Sequence, residues 1–223
     1  MKDSICVIMA KQPQVGRTKT RLSPLLTLGQ AAILYEALLR DTIALVSSLP
    51  ITLALAISPP GSHAYFSSIA PPHTLLLPIE GKDIGACLTQ AFQFLLGKGW
   101  RKVIALNADG PSLPPDYFLQ AVELLGEREV VLGPAMDGGY YLVGMQRPHL
   151  GIFQGIAWST EQVFVQTLER AEALGLSVGV TSVWHDVDTS ADLRQLQNDL
   201  NSLPSDRLVH TRKFFAQWGG MVF

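Results

Sequence analysis

Cysteine is nearly absent. Cys6 and Cys87 are the only two in 223 residues. Neither sits at a metal-ligand spacing, which argues against a structural zinc site or a disulfide framework. Both lie in apolar surroundings and read as buried thiols, consistent with a reducing cytoplasm. An excess of charge is missing too. Seventeen Lys and Arg face 19 Asp and Glu, for a net charge of −2. That gives no general attraction to nucleic acid. Long hydrophobic runs are also missing. Hydrophobic residues make up 48% and mean hydropathy is +0.23, yet no run approaches the roughly 20 residues of a membrane helix. The first apolar stretch, Ile5-Cys6-Val7-Ile8-Met9-Ala10, is too short for a signal segment and meets Lys11. No Walker A loop and no Gly-x-Gly-x-x-Gly fingerprint occur. No Ser-His-Asp or Cys-His arrangement is evident, which argues against covalent hydrolase chemistry.

What is present is an alternation of short apolar strands and amphipathic helices. Such alternation implies an α/β protein with a mostly parallel sheet and helices on both faces. The length suits one domain over residues 1–223, with 204–223 a helical tail. Strands are predicted over 4–9, 51–57, 74–77, 102–106 and 129–132, from Tyr140 onward, and over 177–183. Thr27-Leu28-Gly29-Gln30 fits a capping box opening a helix to about Ser48. Ser159-x-x-Gln162 fits the same pattern and predicts a helix to Leu174. The tail aromatics Phe214, Phe215, Trp218 and Phe223 are expected to dock on the body, with a homodimer interface as a further use.

The central stretch is Val103-Ile104-Ala105-Leu106-Asn107-Ala108-Asp109-Gly110-Pro111. An apolar run breaks at Asp-Gly-Pro, so Asp109 falls at the carboxyl end of a strand. Ligands of open α/β sheets bind at that edge. Asp109 is suited to a divalent metal holding a diphosphate, or to bonding its own turn. The loop after the first strand concentrates Lys11, Arg17, Lys19 and Arg21 around Gly16. It reads as a diphosphate-binding loop or as a solvated basic loop. Asp137 is a second strand-end carboxylate or a hairpin Asp-Gly turn. Gly138 and Gly139 allow close approach of backbone to a ligand. Tyr140 and Tyr141 alternate sides, so at most one is expected to face a pocket. Ser159, beside Trp158, reads as a helix cap whose N-terminus can face an anion. Asp186 and Asp188 share one face of an extended segment, with Asp188 or Thr189 also able to cap the next helix.

Taken together, Met9-Ala10-Lys11-x-Pro13-x-x-Gly16-x-x-Lys19-Thr20-Arg21-Leu22, Asp109-Gly110-Pro111-x-Leu113, Gly133-Pro134-Ala135-x-Asp137-Gly138-Gly139-Tyr140-Tyr141, Trp158-Ser159-Thr160 and Asp186-Val187-Asp188-Thr189 resemble a bacterial family of GT-A-like glycosyltransferases. That family is described as nucleotide-diphospho-sugar transferase-like (DUF2064), and the resemblance spans about residues 5 to 195. It implies a nucleotide-diphospho-sugar transferase fold with a mixed, mostly parallel sheet. It implies a nucleotide site of Ala10, Lys11, Gly16, Arg17, Lys19, Arg21 and Asn107. It further implies a substrate site of Gly138, Gly139, Tyr140, Trp158 and Ser159, and catalysis by Asp109 and Asp137. A Mg²⁺ or Mn²⁺ ion is implied on Asp109 and Asp188. Asn107 stands at the first acidic place of the usual Asp-x-Asp motif. The expected activity is metal-assisted sugar transfer from a nucleotide-sugar to a small-molecule acceptor. The basic loop and the Asp186–Thr189 segment also resemble the phospholactate and molybdenum-cofactor guanylyltransferases. That resemblance implies nucleotidyl transfer, with Lys19 and Arg21 at the departing pyrophosphate. A nucleotide-binding protein with decayed catalysis is the third reading.

Overall fold

The computed structural model describes residues 2–23 and 25–218. Among these residues seven strands form one sheet in the order β3-β2-β1-β4-β6-β5-β7. They are β1 (Lys2–Lys11), β2 (Thr52–Ser58), β3 (Leu75–Pro78), β4 (Trp100–Leu106), β5 (Val130–Pro134), β6 (Tyr140–Met145) and β7 (Val178–Val180). β1 pairs in parallel with β2 and β4, and β2 with β3. β6 runs antiparallel to both β4 and β5, while β5 and β7 are parallel. The sheet is therefore mixed and mostly parallel, as the sequence predicts.

Among the described residues seven α-helices cover it: α1 (Leu28–Ser47), α2 (His63–Ile69), α3 (Ile84–Gly97), α4 (Pro115–Leu124), α5 (Val163–Ala173), α6 (Ser190–Ser202) and α7 (Val209–Trp218). Strand side chains alternate between two core layers. Cys6, Ile8 and Ala10 pack with Leu39, Phe66 and Phe118 of α1, α2 and α4. Ile5 and Val7 pack with Phe92 of α3 and Ala171 of α5. Phe92 and Phe118 are fully buried, which stabilises the fold by about 1.5–3 kcal/mol each. A third cluster joins α1 to α6 and α7 through Leu34, Leu38, Leu196 and Phe214.

The capping box at Thr27 forms as predicted, with Gln30 answering the cap. The one at Ser159 does not. α5 starts at Val163 with Gln162 as its cap residue and no side-chain cap bond. Ser159 stands at φ 64°, whereas an N-cap residue needs extended backbone. The Thr160 hydroxyl instead donates to the Ala157 carbonyl at 2.7 Å. The predicted strand at 177–183 is shorter, ending at Val180, and an isolated parallel bridge follows at Ala135 and Trp184. In the tail, Phe214 is buried, and Phe215 and Trp218 pack against the same cluster. Phe223 lies outside the described residues. No helix among the described residues is long and apolar enough to cross a membrane.

Candidate functional site

The parallel strands β1, β2 and β4 end at one edge, and two cavities open there. One, of about 370 Å³, lies over the ends of β1 and β4. Its walls include Met9, Lys11, Arg17, Lys19, Tyr35, Asn107, Asp109 and Asp188. The other, of about 420 Å³, is lined by Ala10, Ser58, Gly81, Asp83, Cys87, Trp158 and Ser159. The two adjoin, sharing Met9, Lys11 and Ile84.

The basic loop is held at both ends. Lys11 donates its backbone N–H to the Tyr35 hydroxyl at 3.0 Å. Buried Leu22 and Leu26 pin its far end to α1. In between, Gly16 takes φ 75°. Lys19 takes φ 50° and opens a short 3-10 turn over Thr20–Leu22. A left-handed backbone is uncommon for a residue with a Cβ. This geometry sends the Lys19 side chain inward, where it is only 5% exposed.

There the Lys19 ammonium donates to Asp109 Oδ2 at 2.6 Å and to Asp188 Oδ1 at 2.5 Å. Burial alone works to lower the lysine pKa, but the two carboxylates outweigh it and hold the ammonium above the usual range. Arg21 is mostly exposed, with Nη1 4.0 Å from Asp188 Oδ2. It lines neither cavity.

Asp109 follows β4 and Asp188 precedes α6, and the backbone fixes them together. Val187 donates its N–H to the Asp109 carbonyl at 3.1 Å. Asn107 Nδ2 donates to Asp186 Oδ1 at 2.7 Å. Gly110 permits this approach, since a Cβ there would stand 3.2 Å from the His185 carbonyl. On the far side His185 Nε2 meets Asp199 Oδ2 of α6 at 2.9 Å. Thr189 caps α6 in a full capping box with Asp192, so Asp188 is not the cap. Asp186 is the third carboxylate of the cluster. Burial, then the nearby Asp109 charge, push its carboxyl well above the usual range, against the Asn107 bond. Asn107 thus supplies an amide where a fourth carboxylate would add repulsion.

Asp109 and Asp188 offer oxygen donors of the kind Mg²⁺ and Mn²⁺ take. Among the described residues no group of three His, Cys, Asp or Glu side chains is arranged around one ion position. The donor set fits an ion that keeps water or phosphate for its other ligands, as Mg²⁺ commonly does.

The remaining sequence candidates divide. Tyr140 borders the first cavity, and Tyr141 does too, although at most one was expected. Their rings do point to opposite core layers. Tyr140 meets Trp158 edge to face at 6.4 Å, and the Tyr141 hydroxyl bonds Thr181 at 2.7 Å. Trp158 and Ser159 line the second cavity. Asp137, Gly138 and Gly139 line neither. Asp137 Oδ1 accepts the Gly139 N–H at 2.9 Å within the turn that reverses β5 into β6. Gly138, at φ 85°, makes room for a protein segment, since a Cβ there would lie 2.1 Å from the Glu161 carbonyl oxygen. Sequence reasoning missed Tyr35 and Asp83. A tyrosine on the core face of α1 and an N-cap Asp are both common structural uses, so neither stood out.

Residues 42–160, just over half of the chain, match the family described as "Uncharacterized protein conserved in bacteria (DUF2064)". The chain belongs to the DUF2064 family. This DUF2064 chain is similar in structure to a candidate nucleotide-diphospho-sugar transferase from Desulfovibrio desulfuricans G20. The two are 26% identical, with 97% of this chain and 95% of that one covered and a TM-score of 0.88. The fold alone is shared with Rv0371c from Mycobacterium tuberculosis H37Rv, solved in complex with manganese. That pair is 16% identical, covers 89% and 99% of the two chains, and has a TM-score of 0.55. The fold is shared likewise with 4-diphosphocytidyl-2C-methyl-D-erythritol synthase from Anaerococcus prevotii DSM 20548. Here identity is 11%, coverage 90% and 96%, and the TM-score 0.58. No curated protein matches the chain. The DUF2064 architecture seen here is thus a nucleotide-diphospho-sugar transferase-like fold.

Proposed function

We propose that the protein is a metal-assisted transferase that moves a sugar from a nucleotide-diphospho-sugar to a small-molecule acceptor. The observation that carries this reading is the pair of adjoining cavities that meet at Lys11. The cavity over β1, β2 and the start of α3 has the size and the mixed lining that suit a nucleoside. A diphosphate leaving it meets Lys11, Arg17 and Lys19. Beyond these cations the other cavity is walled by Leu88, Tyr140 and Val143, a surface that suits the C–H face of a sugar ring. The likeness to the candidate transferase of Desulfovibrio desulfuricans supports the same donor class.

Asp109 and Asp188 are the residues proposed to hold Mg²⁺ or Mn²⁺, and manganese in the Rv0371c structure supports that choice of ion. Such an ion supplies positive charge to a departing diphosphate. Lys11, Arg17 and Lys19 add cations to the same group, where charge develops as it leaves. In the transfer the bond from sugar C1 to the diphosphate oxygen breaks, and the nucleoside diphosphate keeps the electron pair. The acceptor atom forms the new bond to C1 and gives up its proton.

A second reading is nucleotidyl transfer. The convergence of Asp109, Asp188 and Lys19 on one point favours it, as does the fold shared with the diphosphocytidyl synthase. There an acceptor phosphate attacks the α-phosphate of an NTP, and pyrophosphate leaves.

Both are tested by incubating the protein and Mn²⁺ with panels of nucleotide-sugars and NTPs, with candidate acceptors. Release of a nucleoside diphosphate identifies sugar transfer, and release of pyrophosphate identifies nucleotidyl transfer. A thermal-shift screen beside it reads binding without turnover. A ligand at 100 times its Kd adds about 2.7 kcal/mol. That stabilisation is expected to need the metal and to vanish in Asp109→Asn. No stabilisation by any nucleotide would refute both readings, and binding without product would leave a decayed nucleotide-binding protein.

A further inference from the structure

We propose that Lys19 is a built-in counter-cation that occupies the metal position, so that a divalent ion binds only by displacing it. The inference rests on the metal site proposed above. One ammonium bonds one oxygen from each of the two carboxylates, at 2.6 and 2.5 Å. Mg²⁺ would need the same oxygens at about 2.1 Å. Ammonium and ion cannot both stand between them.

The rest of the local geometry is what an exchanging lysine requires. The partners lie 90 and 169 residues away in sequence, yet they are locked to each other by the Val187 to Asp109 bond and the Asn107 to Asp186 bond. The carboxylates are therefore fixed, and Lys19 is the movable member, on a flexible four-carbon stem. It leaves from a left-handed backbone position between a tight turn and the buried anchor Leu22. A released ammonium stays in the cavity lined by Lys11 and Arg17. There a bound diphosphate gives it a new anion. Metal and diphosphate then favour each other's binding, and the coupling is reciprocal. Free metal alone meets a site already occupied by the ammonium.

The test uses the full chain without nucleotide. Mn²⁺ is titrated into wild type, Lys19→Met and Lys19→Met/Asp188→Asn, and free Mn²⁺ is read by electron paramagnetic resonance. The single variant is expected to bind Mn²⁺ at least tenfold more tightly than wild type, and the double variant to lose that gain. Circular dichroism checks the fold, and Lys19→Gln serves if Lys19→Met is misfolded. In parallel, the Lys19 ammonium of ¹⁵N-lysine-labelled wild type is followed by NMR as Mg²⁺ is added. Its ion-paired signal is expected to disappear at saturation. Equal or weaker Mn²⁺ binding by Lys19→Met, an unchanged Lys19 signal in Mg²⁺-bound protein, or no Mn²⁺ binding by any of the proteins overturns the inference. Because no nucleotide is present, a later failure to bind nucleotide sinks the proposed function and leaves the Lys19 exchange standing.

Discussion

Replacing Gly85 with alanine sets two known effects against each other. Gly85 lies in the first turn of α3, and a Cβ there would fall 2.4, 2.5 and 2.6 Å from Cζ2, Cε2 and Nε1 of Trp158. Ordinary contact begins near 3.4 Å, so the indole must move by about 1 Å. Overpacking of this kind costs about 1–3 kcal/mol. Alanine in place of glycine in a helix returns at most about 1 kcal/mol. The ring cannot slide freely, because Tyr140 and Phe153 flank it at 6.4 and 6.5 Å between centroids. The net expectation is a loss of about 1 kcal/mol, or about 2–4 °C in melting temperature for a chain of this size. Urea denaturation followed by circular dichroism measures it. Trp158 also walls the larger cavity, so the same variant is expected to show altered tryptophan emission and weaker nucleotide binding. A Gly85→Ala protein more stable than wild type would refute the reasoning. It would mean that the helix preference wins and that Trp158 does not pack on Gly85.

Asp41 is buried on α1 and accepts the backbone N–H groups of His210 and Thr211 at 3.0 and 2.7 Å. Asp41→Ala leaves both donors at the start of α7 without that partner and is expected to cost about 3 kcal/mol by chemical denaturation. Gly138→Ala meets the Glu161 backbone and needs φ 85°, so it is expected to lose at least about 2 kcal/mol in the same assay. For Asp199, burial works to raise the pKa, but the bonds from His185 and Gln195 outweigh it and hold the carboxyl below its usual value. A depressed folded pKa gives stability that is present above the unfolded value and lost as pH falls through the folded one. Asp199→Asn is therefore expected to be less stable than wild type at pH 7, with the gap closing as pH falls below the ordinary aspartate value of 3.8. Urea titrations at a series of pH values check this, and a gap independent of pH would contradict it.

What the sequence made legible was local. The capping box at Thr27 and the placing of Asp109 after a buried strand both depend on neighbours within a few residues. The Ser159 pattern failed because the left-handed backbone at that residue comes from tertiary packing of the 157–162 turn beneath Gly138. The Asp137 turn was one of two local readings, and the antiparallel β5–β6 pairing contains it. The site was legible only in residue types. Lys19, Asp109 and Asp188 each stood out alone, but their meeting on one ammonium is set by the sheet order and by no spacing in the chain. Asn107 looked like a lost carboxylate, and its use as a donor to Asp186 needs the folded structure.

The capping box at Thr189 has a bearing on how the molecule matures. Asp188, the second partner of Lys19, sits just before the Thr189 cap of α6, and α6 and α7 close over α1 through the third hydrophobic cluster. A growing polypeptide that has completed β1 to β6 already owns the basic loop and Asp109, but its cation has one partner instead of two. The pocket reaches its final form only when the last fifth of the chain has been made and seated. A premature stop after β6 therefore yields a product with most of the sheet and none of the finished chemistry.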